Sequence, residues 1–496
     1  MGSQCGGVPG RNTGMATHYL RSFLRLAKAN NRTVGALFLD LKDAFYTVIR
    51  ELVVPLATSA EDLEELVQTL EIDRVFEGPL REALSRPFVL EGLVDDQHLL
   101  AMVSEAYTNN WFTTDHADGV ARSRRSTCPG TVLADIVFNL AFLKEVSRGL
   151  DMFGILWKSS DVCEGVRNVF RLDDAAGEAP ISDSTFADDT SIMIVPCSNA
   201  SVVVDAGAAA RIAYAAISRR GFRVNVEPGK SAIMLAIRGE GARAARGSIA
   251  TLPDNRLPVD GIANGVCLVN VQKSLGGQVE ADCSMASEVA ARILGFVVAM
   301  GPLRKTVFKV SHAPVDTKIT FADALASSAL TYNVETWDPL TDAQLKRMES
   351  KILDAYRAAA RMPHNDESST RFSAEEAYAN VVRLPFELLA RIRRLEYLPR
   401  LLNKAPKQLL FLLDALLAKG VGWPMLVEGD VCWAARFAGG HAHRAGVQWA
   451  ARAHRLCTID AGGVAQLRLQ GQRQLPGILG GGVPCWCLEA QDCVHM

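Results

Sequence analysis

The sequence lacks a long uninterrupted apolar run. Its most apolar stretch, Gln408 to Ala418, is short and contains Asp414. A membrane-spanning helix needs roughly 20 consecutive apolar residues, so we expect no membrane span. A signal peptide is also missing from the start of the chain, which favours a compartment where cysteines stay reduced.

The chain has no excess charge of either sign and no regular cysteine spacing. Its 53 basic and 55 acidic residues leave a formal charge of −2, so binding to a polyanion would have to rely on local basic patches. The 11 cysteines are odd in number, which predicts free thiols and no disulfide framework. With 49% hydrophobic and 22% charged residues over 496 positions, the chain is typical of a globular protein with two to four domains.

Two segments near the start of the chain predict a helix followed by a buried strand. Thr17 to Asn30 carries apolar residues on one helical face. Val34 to Leu41 is a short, continuous apolar run interrupted by Asp40, which predicts a strand buried on both faces. A carboxylate at the end of such a strand is costly unless it has a partner.

A second acidic site lies in the middle of the chain. Thr185 to Val195 is typical of a strand, a tight turn and a returning strand, with Asp188 and Asp189 at the turn. If this hairpin lies beside the Asp40 strand, three carboxylates converge. Oxygen ligands on rigid strands suit two Mg²⁺ ions for an in-line displacement. The alternative is purely structural, since Asp-Asp is a common turn dipeptide and Asp often ends a strand.

The remaining sequence predicts helices and two irregular segments. Residues 51–118, Leu133 to Leu143 and most of the chain after Pro302 show helical patterns, and Thr341 with Gln344 fits a capping box. We expect a loop at Gly239 to Asn264. Beyond about residue 420 we expect a loosely folded tail, because glycine, alanine and arginine dominate and periodicity is weak.

Four segments with recognisable residues follow one another in a fixed order. They are Ala36 to Val48 (ALFLDLKDAFYTV), Gly130 to Leu140 (GTVLADIVFNL), Phe186 to Asp189 (FADD) and Val224 to Ser231 (VNVEPGKS). Together they resemble motifs A, B, C and D of the reverse transcriptases of non-LTR (LINE-type) retrotransposons. Pro9 to Thr13 resembles the fingers segment before motif A, and Ala329 to Trp337 resembles the thumb segment. A lone FADD box is a weak signal, whereas the ordered set is specific.

This resemblance implies catalytic and metal-binding residues. Asp40, Asp188 and Asp189 would bind two Mg²⁺ ions, with Mn²⁺ as a substitute. Lys230 would be the motif D lysine, near the leaving pyrophosphate as a general acid. Phe45 would be the steric gate that excludes a 2′-hydroxyl and selects dNTPs. The bland alternatives are a core phenylalanine at 45 and a solvated lysine at 230.

The resemblance also implies substrate contacts and partners. Gly130 would let the backbone approach the template-primer or nucleotide closely. Arg11 and Asn139, within the matching fingers and motif B segments, would bind substrate. The implied partners are an RNA template, a DNA primer and dNTPs, with no membrane, in the nucleus or cytoplasm.

The implied fold is α+β, a right-hand polymerase palm with an antiparallel sheet backed by helices. The expected domains are partial fingers at 1–33, a palm with inserted finger elements at 34–280, a helical thumb at 281–405 and a poorly ordered C-terminal tail at 406–496. We expect the earlier fingers and any endonuclease domain to be missing. Pro129 stands where many family members have glutamine before the motif B glycine.

The implied function is RNA-directed DNA polymerase, and two alternatives stay open. One is a catalytically dead reverse-transcriptase-like relic that at most binds nucleic acid. The other is an RNA polymerase of the same palm architecture, against which Phe45 argues. At the C-terminus, Cys485, Cys487, Cys493 and His495 raise the question of a zinc site, but their spacing is not a standard zinc pattern.

Overall fold

A computed structural model describes residues 4–56, 59–69, 74–108, 110–112, 121–122, 126–127, 133–134, 136–138, 140, 170, 181–362 and 373–437. The described residues divide into two compact units. The first lies within Met1–Ala16, Asn30–Val162 and Gly177–Leu275, and the second within Thr17–Ala29, Cys163–Ala176 and Gly276–Met496.

Among the described residues, the strands all lie before residue 281. Their bounds are β1 Val34–Leu39, β2 Leu41–Lys42, β3 Trp111–Phe112, β4 Ala121–Arg122, β5 Asp183–Phe186, β6 Asp189–Ile194, β7 Arg223–Val224, β8 Ala232–Ala236, β9 Arg256–Val259, β10 Ile262–Val269, β11 Val271–Ser274 and β12 Gly277–Glu280. The strand predicted at 34–41 and the strand-turn-strand predicted at 185–195 are therefore confirmed.

Helices precede the strands, lie between them and follow them along the chain. Their bounds are α1 Thr13–Ala29, α2 Ala44–Thr47, α3 Ala60–Thr69, α4 Glu77–Leu84, α5 Gln97–Tyr107, α6 Val202–Ser218, α7 Ala242–Ala250, α8 Ala286–Lys305, α9 Val315–Phe321, α10 Ser328–Leu330, α11 Asp342–Ala360, α12 Ala374–Val381, α13 Phe386–Lys404, α14 Lys407–Ala418 and α15 Trp423–Phe437. The predictions of a helix at 17–30 and of mainly helical structure after Pro302 are confirmed.

The first unit is built on a six-stranded sheet in the order β5-β6-β1-β8-β10-β9. β1 lies inside the sheet, and all six of its residues are buried. Its neighbours β6 and β8 both run antiparallel to it. A run of Val, Gly, Ala, Leu and Phe suits this position, because a strand covered on both faces has no polar side to present.

The sheet is mixed, which corrects the expected antiparallel palm sheet. β10 pairs parallel with β8, Cys267 opposite Ala232, while the other pairs within this sheet are antiparallel. Strand direction depends on the path of the connecting chain, and here α7 and β9 lie between β8 and β10. The coarser prediction of an α+β fold is confirmed.

One face of this sheet is covered by α6. Ala206, Ala210, Ala213 and Ile217 recur at spacings of four, three and four residues and are all buried. They belong to the same core as Leu37 of β1. Small side chains on the helix allow close approach to the sheet, and this packing makes the sheet a rigid platform for residues at its edge.

The second unit is helical apart from β12, within its described residues. Its core combines residues of α8 to α13, among them Phe296 and Tyr378, with the large buried side chain of Trp337 from the segment before α11. The predicted capping box of Thr341 with Gln344 is present, and Ser373 forms a second one with Glu376. These caps satisfy free amides at the helix N-termini and fix where α11 and α12 begin.

Two predictions of irregular structure are wrong. The segment 239–264 contains α7, β9 and the start of β10 instead of a loop. The tail predicted to be poorly ordered from residue 406 forms α14 and α15 as far as Phe437. In α15 the residues Trp423, Val427, Val431 and Ala434 are buried at helical spacing, and packing outweighs the flanking glycines. Residues 438–496, with the four C-terminal Cys and His candidates, lie outside the described residues.

Within the described ranges, α8 is long and apolar enough to cross a membrane. Helices α14 and α15 pass the same test only as a pair bent by 79°. The prediction of no such segment rests on residues 408–418, whereas the helix that meets the criterion is α8. Core helices of soluble proteins also meet this criterion, so length and composition alone do not assign a span.

Candidate functional site

The sheet brings Asp40 and Asp189 to the same edge, namely the one formed by strand ends, where β1 ends and β6 begins. The last paired residues of β1 and β6 at this end are Leu39 and Thr190. Asp40 directly follows Leu39, and Asp189 directly precedes Thr190. Because the two strands are antiparallel neighbours, the end of one lies beside the start of the other. The sequence prediction that these acids meet in a shared sheet agrees with this register.

Asp188 reaches the same edge through the turn between β5 and β6. Phe186 pairs with Asp189, so Ala187 and Asp188 form a two-residue connection. Ala187 has φ 54°, in the left-handed region that residues with a Cβ rarely adopt. Such strain costs on the order of 1–3 kcal/mol and is commonly found at functional sites. The turn thus holds Asp188 next to the two acids at the strand ends.

A lysine lies beside this group of acids. Lys230 lies in the loop between β7 and β8, and its Nζ is 3.7 Å from Oδ2 of Asp40. Its backbone N–H donates to the carbonyl of Glu227 at 3.1 Å, and the side-chain amide of Gln272 donates to the carbonyl of Lys230 at 3.3 Å. The loop is therefore tied down on both sides, although about half of the Lys230 side chain remains exposed.

The acids repel one another electrostatically. Burial raises the pKa of Asp188, the negative charge of Asp40 raises it further, and hydrogen bonding within the turn partly opposes both effects. The pKa of Asp189 rises to about 6. The largest cause is loss of hydration in the cleft, although part of the side chain is exposed, and the negative charges of Asp188 and Asp40 add to the rise. Lys230 partly counteracts this rise. A cluster with this balance favours an additional cation.

The site opens into a polar cleft of about 90 Å³. Its lining includes Asp40, Asp189, Thr190, Lys230, Gln272 and Ser274. Carboxylates, hydroxyls, an amide and an ammonium converge here above the edge of a rigid sheet. Such a surface suits a charged, hydrated ligand better than an apolar one.

The donor set fits Mg²⁺ by its chemistry. Asp40, Asp188 and Asp189 offer hard carboxylate oxygens, the ligands that Mg²⁺ prefers, together with an unbalanced negative charge. In the part of the chain that the structure describes, no three Asp, Glu, His or Cys side chains are placed so that they could hold a metal ion together. Mg²⁺ commonly keeps several waters and takes only one or two carboxylates from the protein, so a preformed cage is not required.

Phe45 lies apart from the cleft lining. It is half-buried in α2, and its ring centroid is 4.5 Å from that of Phe138. Its carbonyl accepts the N–H of Thr127 at 2.9 Å. Packing against Phe138 supports a structural role, while the exposed part of the ring leaves the predicted steric gate open as a prediction.

The other predicted substrate contacts are only partly described. Gly130 and Asn139 lie outside the described residues. The guanidinium of Arg11 donates to the backbone carbonyl of Gln4, and burial lowers its pKa. This contact holds the N-terminal segment in place, and the predicted substrate role of Arg11 stays a prediction.

Sequence reasoning missed the N-terminal segment as a support of the site. Cys5 donates its backbone N–H to the carbonyl of Thr185 at 2.8 Å, which adds residues 4–5 to the free edge of β5. A Cβ on Gly6 would lie 2.3 Å from the nitrogen of Ala187, so this glycine touches the turn that carries Asp188. A glycine without a local turn pattern gives no sequence signal for such a long-range approach.

The comparisons with known proteins do not add a family. The chain matches no family model and no curated protein sequence. The findings on this chain are thus its α+β fold, the mixed sheet and the meeting of Asp40, Asp188, Asp189 and Lys230 at one edge.

Proposed function

We propose that the chain belongs to the class of two-metal nucleotidyltransferases. The observation that carries this proposal is the pairing of β1 with β6, which sets Asp40 beside Asp189 with Asp188 in the adjoining turn. Acids from distant parts of the sequence seldom gather without charge compensation, because like charges raise one another's pKa. Here the pKa of Asp189 is raised to about 6.

Within this class we propose an RNA-directed DNA polymerase, the reverse transcriptase of a retrotransposon. The order of the four motif-like segments supports this choice, and the first unit would serve as the palm. The second unit would contain the thumb. The partners of the whole chain would be an RNA template, a DNA primer and dNTPs. It would act in the nucleus or cytoplasm.

Asp40 and Asp188 would hold both Mg²⁺ ions, or Mn²⁺ in their place, with Asp189 supporting the site. When bound, these ions supply charge that lowers the pKa of an attacking 3′-hydroxyl and neutralises the leaving pyrophosphate. The chain's own contribution is to fix the carboxylates on two adjacent strands, so that little reorganisation is needed during the reaction.

Lys230 would act on the leaving group. Its ammonium is close enough to the acids to attract a triphosphate toward the cleft, and it carries protons that it can donate to the departing pyrophosphate oxygen. Phe45 would exclude a 2′-hydroxyl by occupying the space beneath the sugar. These two roles separate chemistry at the phosphate from selection at the ribose.

Primer extension on poly(rA)/oligo(dT) with Mg²⁺ tests the proposal. Asp188→Asn keeps the side-chain volume and removes the charge, and we expect a loss of extension of at least roughly 1,000-fold. Asp260→Asn removes the same charge from an exposed position of the first unit and should extend primers at the wild-type rate. Activity that survives Asp188→Asn would remove the mechanism.

The same preparation distinguishes the two alternatives. A chain that retains poly(rA)/oligo(dT) in filter binding but does not extend the primer would be the non-catalytic relic. A chain that incorporates NTPs in preference to dNTPs would be an RNA polymerase. Either result contradicts the proposed activity while leaving the fold intact.

A further inference from the structure

A buried hydroxyl binds the main chain of Asp40. Ser231 lies between Lys230 and the apolar strand β8, and only 1% of it is exposed. Its Oγ accepts the N–H of Asp40 at 2.9 Å and lies 3.3 Å from the Asp40 carbonyl oxygen, to which it donates. One side chain therefore binds both backbone groups of the same aspartate.

A second backbone contact closes a small ring around Asp40. Asn225 donates its N–H to the carbonyl of Asp40 at 2.8 Å, and Ser231 donates its own N–H to the carbonyl of Asn225 at 2.9 Å. The loop from Asn225 to Ser231 thus starts and ends on the main chain of Asp40. Lys230 is part of this loop, so the same contacts set its distance from the Asp40 carboxylate.

Ser231 replaces contacts that the sheet no longer provides. The ladder between β1 and β8 ends where Phe38 pairs with Ala232. Beyond this pair, the N–H of Asp40 has left the regular β1–β8 ladder, and a buried N–H without a partner costs on the order of 1–3 kcal/mol. The hydroxyl of Ser231 supplies that partner at the position where the strand stops and the site begins.

We propose that Ser231 is a positioning residue for the cation-binding and catalytic group. It orients the Asp40 carboxylate through the backbone and keeps Lys230 within reach of it. This inference rests on the proposed nucleotidyl transfer. Loss of a residue that orients a metal ligand typically lowers metal affinity or activity by roughly 10- to 100-fold.

The experiment compares two buried serines of the same unit. Ser231→Ala removes the hydroxyl on Asp40, and Ser231→Thr retains it. The matched control is Ser184→Ala, because Ser184 is 4% exposed and its hydroxyl donates to the carbonyl of Ala16 at 3.0 Å, not to any acid of the site. Each alanine variant loses one buried hydroxyl, which makes two hydrogen bonds at Ser231 and one at Ser184, so both should lose thermal stability and Ser231→Ala should lose more.

Three measurements on the full chain separate positioning from general stability. We expect Ser231→Ala to lower kcat for dTTP roughly 10- to 100-fold with KM within about threefold, and to weaken Mn²⁺ binding, followed by electron paramagnetic resonance, about 10-fold. Hydrogen exchange should increase in the peptide that contains Asp40. Ser231→Thr should recover most of kcat and of the Mn²⁺ affinity, and Ser184→Ala should retain both.

The proposal is overturned if Ser231→Ala and Ser184→Ala show equal changes in kcat, Mn²⁺ affinity and exchange at Asp40. If the wild-type chain extends no primer, the proposed function fails. Mn²⁺ affinity and exchange then still decide the role of Ser231, because neither needs turnover. A specific loss of Mn²⁺ affinity in Ser231→Ala alone would support the positioning role even in that case.

Discussion

Nζ of Lys230 lies 3.7 Å from Oδ2 of Asp40, at the edge where the acids of β1 and β6 meet. Both side chains are partly exposed, so the direct stabilisation from this pair is small. Its importance lies in the charge balance, because the ammonium also lowers the pKa of the neighbouring Asp189. The lysine thus favours the ionised form of Asp189, which can bind a cation.

Lys230→Gln should shift the acid limb of the primer-extension pH profile toward higher pH. Asp189 has a pKa of about 6, and removal of the nearby positive charge raises it further. Protons then compete with Mg²⁺ over a wider range, so activity at pH 6 should fall more than activity at pH 8. The measurement is kcat/KM for dTTP between pH 5.5 and 8.5, at limiting Mg²⁺.

Lys42→Gln is the matched control for this shift. Lys42 forms a comparable exposed pair, but its partner is Glu227 and not an acid of the site, with 3.4 Å between Nζ and Oε1. Its profile should coincide with that of the wild type. An unchanged acid limb in Lys230→Gln would show that the lysine does not tune the acids.

Asp189→Asn should make the protein more stable at pH 8 in the presence of EDTA. Burial and the charges of Asp188 and Asp40 raise the folded-state pKa of Asp189 above its ordinary value of 3.8, to about 6. Stability linked to this group is therefore present below pH 3.8 and lost as the pH rises through 6. After allowance for solvent exposure, the gain from asparagine is of order 1 kcal/mol, or about 2–4 °C in Tm.

Thermal melts at pH 8 and pH 5 check the sign. The difference in Tm between Asp189→Asn and the wild type should become smaller at pH 5, because Asp189 of the wild type is then largely neutral in the folded state. Mg²⁺ should raise the Tm of the wild type more than that of the variant. A variant less stable than the wild type at pH 8 without metal would contradict the electrostatic account.

Gly6→Ala should destabilise the first unit and impair extension. The added methyl carbon would lie 2.3 Å from the backbone nitrogen of Ala187, so the N-terminal segment or the turn with Asp188 must move. Overpacking of this kind costs about 1–3 kcal/mol. Denaturant unfolding and primer extension measure the two effects.

Gly247→Ala provides the opposite expectation with the same chemical change. Gly247 lies in α7, and a Cβ there meets nothing within 4 Å. Alanine should stabilise the helix by about 0.5–1 kcal/mol and leave extension unchanged. If both variants are stabilised, the close approach of Gly6 to the turn is not a feature of the protein in solution.

Local patterns account for the parts of the site that the sequence predicted. The apolar run ending at Asp40 requires a buried strand, and FADD between two β-rich segments requires a tight turn. Both acids therefore fall at strand ends, where a shared sheet brings them together. The parallel pairing of β8 with β10 was out of reach, because it depends on the course of the intervening chain and not on either strand.

Long-range partners explain what sequence reasoning missed. In the sequence, Ser231 is an ordinary polar residue before a strand. Its role becomes visible only in the fold, where its hydroxyl contacts Asp40. In the second unit, Asp430 of α15 is buried because Arg394 of α13 lies 2.6 Å away. Nothing in the sequence of α15 indicates that partner, and the abundance of glycine, alanine and arginine with weak periodicity favoured the mistaken interpretation as a loose tail.

Phe45→Ala should relax discrimination against ribonucleotides if the chain is a DNA polymerase. The ring packs against Phe138, with centroids 4.5 Å apart, so the substitution also costs about 2 kcal/mol of stability for a half-buried aromatic. The informative quantity is the ratio of kcat/KM for UTP to that for dTTP, which is independent of the folded fraction. We expect this ratio to rise roughly 10- to 100-fold, the range in which a pocket distinguishes ligands by one small group.

Tyr46→Ala, at an adjacent aromatic that is 64% exposed, should leave the ratio unchanged. An unaltered ratio in Phe45→Ala would assign the ring to the core and return the RNA polymerase alternative to consideration, since the steric gate is the feature that argues against it.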